Sequence, residues 1–366
     1  MNEGNFWQRF DYILLAATLA LVVFGVMVIA SATQDAVDPT LVSRVPDQIR
    51  FAFFGLFALF AMAALDYRLL GSLNTWLYIG MLILLLMVVF FGVEGDAGAR
   101  RWINVGILIQ PSEVGKIIVI ITLSAFYAQR YKEMDSIVTV FKSMLHMAIP
   151  IGLIFIQPDL GTSIVYVIIW AIITWAAGLR IKHILMLGTA GLVMLPIAFS
   201  QLEPFQVSRI TTFLFPDSDP DAQFNIDQAI ISIGSGGVFG KGYTAGSQNA
   251  GRFLRVRHTD FIFSVIAHEF GLIGSFVTMG LLGLVIMRIL RGARLASDEL
   301  GSMICYGVAG MIFFQTTVSI GMNLNLMPVT GLTLPFVSSG GTSLLFTMIG
   351  IGLAESVIIR RRRLTI

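Results

Sequence analysis

His258, Thr259 and Asp260 close a polar stretch of 59 residues, 202 to 260, and run straight into Phe261, Ile262 and Phe263. An ionisable group held beside a bilayer is costly and is kept for a function. Asp260, with Arg252, Arg255 and Arg257 just before it, is therefore the first candidate for chemistry. A general base must be ionisable, oriented and shielded from bulk water, and the start of a membrane helix meets all three needs. Desolvation would raise its pKa there, while the arginines and the helix N-terminus would lower it. Asp is also a common helix cap. The residues alone leave both roles open, a base or the cap of the following apolar run.

Five further groups have the right chemistry. Glu113 and Lys116 lie three apart behind Pro111, so on a helix they share a face and can pair, as a packing lock or as the lining of a cavity. Arg100, Arg101 and Trp102 follow a turn at 95–98. Two guanidinium forks can grip a pyrophosphate and an indole can lie against a sugar, although basic and aromatic residues also anchor membrane interfaces. Asp159, after Gln157-Pro158, reads by itself as the N-cap of the run that follows. His268 and Glu269 lie about 12 to 14 Å further into the run that begins at 261, with Glu269 roughly opposite Asp260. Asp217, Asp219 and Asp221 alternate between Pro216 and Pro220, and they read as a solvated turn before a cation site.

These groups must be positioned by membrane helices. With 56% hydrophobic and 13% charged residues and a mean hydropathy of +0.83, the chain is far from a soluble globule, in which roughly 25% of residues are charged. Apolar runs of the length needed to cross a bilayer are expected near 12–32, 48–65, 73–92, 110–128, 137–157, 160–178, 184–201, 261–287, 302–322 and 341–359. The fifth is the weakest, interrupted by Lys142, His146 and Pro150. The expected fold is an all-α polytopic membrane protein of ten transmembrane helices. It forms one integral membrane domain over residues 1–366, with both termini cytoplasmic and one large extracytoplasmic loop, 202–260, between helices 7 and 8.

Basic residues set that orientation. The expected inner segments hold 14 Lys and Arg, from Arg9 to the run 360–363, against 4 in the short outer segments, Arg44, Arg50, Arg100 and Arg101. Within the long loop, Val207, Ile210 and Leu214, then Ile226, Ala229, Ile230 and Ile233, have helical spacing, so two helices are expected to lie on the outer leaflet. Its first half is acidic, with Arg209 the exception, and its second half is basic. Glycines at 234, 236, 237, 240, 242 and 246 permit close backbone approach.

Much is excluded. The single Cys305 rules out an intramolecular disulfide and a thiolate metal cluster. A net charge of +2 gives no reason to expect a nucleic-acid partner. Residues 1–11 lack a secretory leader's pattern, so the first run is expected to be retained as a span. There is no nucleotide-binding Gly-Lys loop, no zinc-binding His pair and no nucleophile elbow, and no internal repeat or broken-helix pair is apparent.

The chain resembles the SEDS family (shape, elongation, division and sporulation), its RodA-like rod-shape branch more than its division branch. The matching stretches are Arg101-Trp102-Ile103 with Gln110-Pro111-Ser112-Glu113 and Lys116, then Gln157 to Ser163, Gly234 to Gly237 with Gly240 to Gly242, His258 to Phe263, and Leu334 to Ser338 with Gly340-Gly341. Three places depart from the family pattern: Arg255-Val256 stand for Pro-Glu, Ser339 for Tyr and His268 for Glu. The resemblance implies a peptidoglycan glycosyltransferase in the bacterial cytoplasmic (inner) membrane that polymerises lipid II on the outer side for cell elongation. It would work with a class B penicillin-binding protein and other membrane proteins of an elongation complex. By position, Asp260 matches the essential aspartate, and Trp102 an important tryptophan. Glu113, Lys116 and Asp159 match polar cavity residues, and Arg101, His258 and Ser338 come with the same motifs. Asp260 would deprotonate the acceptor 4-hydroxyl in an inverting displacement. Arg101 or Lys116, with a possible divalent cation, Mg or Mn, would stabilise the departing pyrophosphate. No other cofactor is expected. The rival readings are a lipid II flippase and a noncatalytic scaffold.

Overall fold

The computed structural model describes residues 6–34, 39–94, 100–104, 106, 108–131, 136–245 and 258–361. Arg252, Arg255, Val256, Arg257, the turn 95–98, Lys132, Gly246, Arg362 and Arg363 lie outside the described residues.

The chain is mostly helical, at 78%. Its main helices are α1 (Tyr12–Ala32), α2 (Arg44–Ala64), α3 (Asn74–Phe91), α4 (Pro111–Gln129), α5 (Ile137–Ile156), α6 (Leu160–Ala176), α7 (Ile181–Phe199), α8 (Pro204–Leu214), α9 (Pro220–Gly236), α10 (Ile262–Leu295), α11 (Glu299–Asn323) and α12 (Gly341–Ile359). Among the described residues, eight of these, α1 to α5 and α10 to α12, are long and apolar enough to cross a membrane, and α6 is a shorter apolar helix of 17 residues. In hydrocarbon every backbone group must be satisfied within the chain, which is why apolar runs of this length become helices.

Where sequence and structure differ, the causes are local. The second helix begins at Arg44 rather than 48, taking a polar first turn with Asp47. The eighth expected run becomes α10, which continues to Leu295 past Arg288, Arg291 and Arg294 and is broken at Gly271, whose φ is +66°. The purely α-helical expectation also misses a small antiparallel sheet between α3 and α4. It consists of β1 (Val93–Glu94), β2 (Arg100–Asn104) and β3 (Leu108–Ile109), in the order β1-β2-β3.

The weak fifth run does form one continuous helix through Pro150. Proline lacks the N–H that would bond the carbonyl four residues back, here that of His146. The Tyr78 hydroxyl supplies the missing donor, 2.6 Å from that carbonyl, and its ring stacks on the His146 imidazole at 4.1 Å.

The centre of the bundle is α12, α4 and α11, where the apolar windows are 83%, 78% and 67% buried against 17% for α3. Large side chains such as Phe53 and Phe57 on α2 and Trp76 on α3 face outward, as helices in lipid require. α12 lies along α2 so closely that a Cβ at Gly352 would stand 2.3 Å from the Leu59 carbonyl oxygen. Small residues permit such contact between membrane helices, where packing replaces the hydrophobic effect.

Candidate active site

Asp260 lies in the turn 258–261 and is half-buried. The residue at the cap position of α10 is Phe261, and no side-chain cap bond is made there, so Asp260 is not the helix cap. The N-terminus is satisfied from elsewhere. Asn323, the last residue of α11, accepts the Ser264 N–H at 3.0 Å and the Ser264 hydroxyl at 2.6 Å through Oδ1. Its Nδ2 donates to the Asp260 carbonyl at 2.8 Å. On the other side, the Ser338 hydroxyl donates to the Thr259 carbonyl at 2.9 Å, and the Ser339 amide donates to the His258 carbonyl at 2.9 Å. Gln48 Nε2 in turn reaches the Ser338 carbonyl at 3.3 Å. Three consecutive carbonyls, 258 to 260, are thus held by the segment 323–339. His258 and Ser338 are both buried.

Arg209, on α8, is drawn electrostatically to both Asp260 and Asp159, repelled by Arg101, and held below the usual guanidinium range chiefly by burial. A Cβ at Gly331 would lie 3.6 Å from its Nη1, so the loop before α12 comes up against the cation. The Phe205 ring sits beneath Arg101 and Arg209, with centroid distances of 6.0 and 5.9 Å. Arg101 reaches back to the Pro158 carbonyl and to Asp159 Oδ1 at 3.9 Å. It stands on β2, where successive side chains point to opposite faces. Arg100, Arg101 and Trp102 therefore cannot act as one clamp. Arg101 turns towards Asp159 while its neighbours take the other face, with Trp102 half-buried and opposite Val93.

Asp159 does cap α6, accepting the Thr162 N–H at 3.1 Å and its hydroxyl at 2.9 Å. It also accepts from Gln110 Nε2 at 3.0 Å. Gln110 is the residue before α4, so this bond ties Asp159 to the helix that carries Glu113 and Lys116. Those two form an ion pair at 2.7 Å, with both side chains buried. The Tyr166 hydroxyl, donating to the Ser112 carbonyl at 2.9 Å, fastens α6 to the same turn. A polar path therefore runs from Asp260 through Arg209 to Asp159 and Arg101, and on through Gln110 to the buried pair.

The glycine stretch has a separate role. α9 packs along α10, and the strap 237–242 lies in the break at Gly271. The Lys241 and Gly242 amides donate to the carbonyls of His268 and Glu269 at 2.9 and 3.0 Å, while the Gly237 and Val238 carbonyls accept from Leu272 and Ile273 at 2.9 and 3.2 Å. These are the backbone groups that a broken helix leaves open. Gly240, at φ +81°, is so close that a Cβ would fall 2.0 Å from the Glu269 carbonyl oxygen. His268 Nδ1 meets the Ser235 hydroxyl at 2.8 Å, and Ser31 on α1 donates to Glu269. These two residues therefore join the strap and α1 to the break and take no part in the Asp260 turn.

The alternating aspartates form a turn, as expected. A short 3-10 helix spans Pro216–Ser218, and Asp219 caps α9, accepting the Ala222 N–H at 3.1 Å. Two residues of the site escaped the sequence reading. Arg209 showed only as the lone cation in an acidic stretch, and Asn323, one residue past the run 302–322, drew no reading. Among the described residues no group of three or more His, Cys, Asp or Glu side chains is placed to hold a metal ion.

The comparisons with known proteins agree in one direction. Residues 11–363 match the family model for cell cycle proteins of the FtsW/RodA/SpoVE type. The chain is 35% identical to the peptidoglycan glycosyltransferase MrdB of Escherichia coli K12, over 100% of this chain and 98% of that one. It is 30% identical to the peptidoglycan glycosyltransferase RodA of Treponema pallidum, covering 96% and 98%. The crystal structure of the rod shape determining protein RodA of Thermus thermophilus superposes with a TM-score of 0.70 at 30% identity, over 97% of this chain and 98% of that one. A chain from a structure described as coordinating polymerization and crosslinking in a peptidoglycan synthase complex gives 0.80 at 29%, over 95% and 97%. With a model match over almost its whole length and relatives of this similarity, the chain belongs to the FtsW/RodA/SpoVE family of cell cycle proteins.

Proposed function

We propose that this glycosyltransferase polymerises lipid II into β-1,4 glycan strands on the outer side of the bacterial inner membrane, with Asp260 as the general base. The observation that carries the reading is the division of labour at the start of α10. Asn323 accepts the Ser264 N–H in the first turn and holds the Asp260 carbonyl, and the cap position of α10 falls on Phe261, one residue after Asp260. In the proposed reaction it takes the proton of the acceptor 4-hydroxyl. The oxygen attacks the anomeric carbon of the donor, and the lipid pyrophosphate leaves with the bonding pair. Displacement from the opposite face inverts the α-linked donor. Charge grows on the pyrophosphate, and Arg209 and Arg101, cations drawn to these aspartates among the described residues, are the groups to stabilise it. Lys116 is already paired with Glu113, and Trp102 stands next to Arg101 on β2.

The proposed topology has ten spans, with α6 and α7 joining the eight long apolar helices, both termini in the cytoplasm and the loop 202–260 outside. Two features support it: the excess of Lys and Arg in the segments assigned to the inside, and the helices α8 and α9 within the loop, where amphipathic spacing foreshadowed them. The proposed partner is a class B penicillin-binding protein that crosslinks the new strand. In its support, a solved relative of similar fold comes from a complex that couples polymerization to crosslinking.

Purified protein incubated with lipid II, with products resolved on a gel, tests the reading. Asp260→Asn should abolish glycan strands, a loss of at least about 10²-fold for a general base, with the melting temperature unchanged. Strands of normal length from that variant would refute Asp260 as the base. No strands from the wild type would favour a flippase or scaffold.

A further inference from the structure

At the end of the bundle remote from Asp260, a cavity of about 220 Å³ is lined by Arg9, Arg288 and Arg361, with Asp11, Tyr12 and Ile13 beside them. Arg288 stands near the far end of α10, about 40 Å of helix from Asp260 at ~1.5 Å per residue, so the cavity opens at the other membrane face.

Three arginines stand there against two carboxylates, Asp11 and the buried Glu355 behind it, which accepts the Asp11 N–H at 3.2 Å and interacts electrostatically with Arg288 and Arg361. Arg288 places both Nε and Nη2 on Asp11 Oδ2, at 2.8 and 2.5 Å. The other oxygen of Asp11 accepts the Leu14 N–H at 3.1 Å as the cap of α1. Asp11 is therefore fully used by one arginine and one helix terminus. Arg9 reaches only the Ile359 carbonyl, at 3.5 Å, and no side-chain hydrogen bond or ion pair of Arg361 is found among the described residues. Two half-buried guanidiniums from the two ends of the chain thus face one recess with most of their donors uncommitted. Arg forks of this kind match phosphate oxygens.

The rim indicates where the phosphate comes from. Trp7, Tyr12 and Ile13 are all more than half exposed, and the Tyr12 hydroxyl donates to the Trp7 carbonyl at 3.0 Å, fixing the two aromatics side by side. Aromatic side chains of this type sit at headgroup level. Beyond Ile13, the exposed Val23 and Met27 continue an apolar stripe along α1, a track for an acyl chain. A phosphate arriving free in solution would need no such track.

We infer that the recess between Arg9, Arg288 and Arg361 binds the phosphate of an anionic phospholipid, whose chain lies along α1. Basic pockets between helices at a membrane face are suited to such headgroups.

The test uses the full chain in nanodiscs of phosphatidylcholine with one part in five phosphatidylglycerol, counting the lipids that stay bound when the protein is released into the gas phase. The wild type should retain phosphatidylglycerol over phosphatidylcholine, and Arg9→Gln with Arg361→Gln should cut that preference about tenfold, given the strength of arginine attraction to anionic lipid. The control pair Arg291→Gln and Arg294→Gln removes the same charge from exposed positions of α10 and should leave the preference intact. Equal loss in the two pairs would overturn the site, because generic attraction would then explain the binding. Displacement of the lipid by inorganic phosphate at equal concentration would overturn the lipid as its source. Arg361→Gln alone, which breaks no bond seen here, guards against misfolding and should lower the preference about threefold.

Discussion

The side-chain amide of Asn323 bonds the carbonyl of Asp260 at 2.8 Å and, through its other end, caps the helix that Asp260 precedes. One buried residue thus fixes both the position of the proposed base and the first turn of α10. Replacing it takes their partner from the buried Ser264 hydroxyl and the Asp260 carbonyl, each costing about 1–3 kcal/mol, and leaves the Ser264 N–H only the Phe261 carbonyl. Asn323→Leu should lower the melting temperature and reduce lipid II polymerisation more than tenfold, whereas Asn323→Asp, which keeps the acceptor, should retain more of both. Equal effects of the two would separate the amide from the function.

The strap in the break of α10 sets up a paired comparison. Gly240→Ala places a Cβ 2.0 Å from a carbonyl oxygen at φ +81° and should strongly destabilise the fold, whereas Gly234→Ala meets nothing within 4 Å. It lies inside α9 and should be neutral or stabilise by about 0.4–1 kcal/mol. Thermal unfolding in one detergent decides between them.

Glu113 and Lys116 have each other as counter-charge in a buried site. Breaking such a pair from one side costs about 3–5 kcal/mol, and removing both charges costs much less. Glu113→Gln and Lys116→Met should each lower stability more than the double variant does. A double-mutant cycle on melting temperatures reads the coupling directly, and additive losses would mean that the two charges are independent.

Asp298 links α10 to α11 at the inner end of the proposed bundle. It caps α11 through the Gly301 N–H at 2.9 Å and takes Arg68 Nε and the Tyr67 hydroxyl at 2.8 Å each. Burial pushes its carboxyl up, but these donors outweigh burial and hold it below its usual 3.8. A carboxylate with a depressed folded pKa stabilises fully above the unfolded value and loses that contribution as pH falls through the folded one. The wild-type melting temperature should therefore drop as pH is lowered below about 4. In Asp298→Asn that part of the drop should be missing, and the variant should be less stable at neutral pH. Parallel curves for the two proteins would show that Asp298 contributes nothing to acid sensitivity.

Much of this was legible because lipid leaves few options. Each described apolar run became a helix near its expected place, and the capping role of Asp159 follows from its position before an apolar stretch, whereas Asp219 read only as part of a turn. What the sequence hid depends on residues far apart in the chain. Asp260 looked equally like a cap because its replacement in that role, Asn323, comes 63 residues later. The break in α10 was invisible because helical periodicity continues on both sides of Gly271, and only the docked strap identifies it. Arg209 acquired importance through its nearness to Asp260 and Asp159, which spacing along the loop could not reveal. Arg100 and Arg101 read as one clamp until β2 turned them to opposite faces.

The three carbonyls of 258 to 260 are gripped by residues 323 to 339, the stretch that leads into the final helix. During synthesis, Asp260 leaves the ribosome well before any of its holders. A nascent chain that has already released residues 258 to 260 therefore carries a turn whose three carbonyls have no holders until the last segment is in place. The turn before α10 is thus among the last parts of the fold to be completed, although its residues are made long before the final helix.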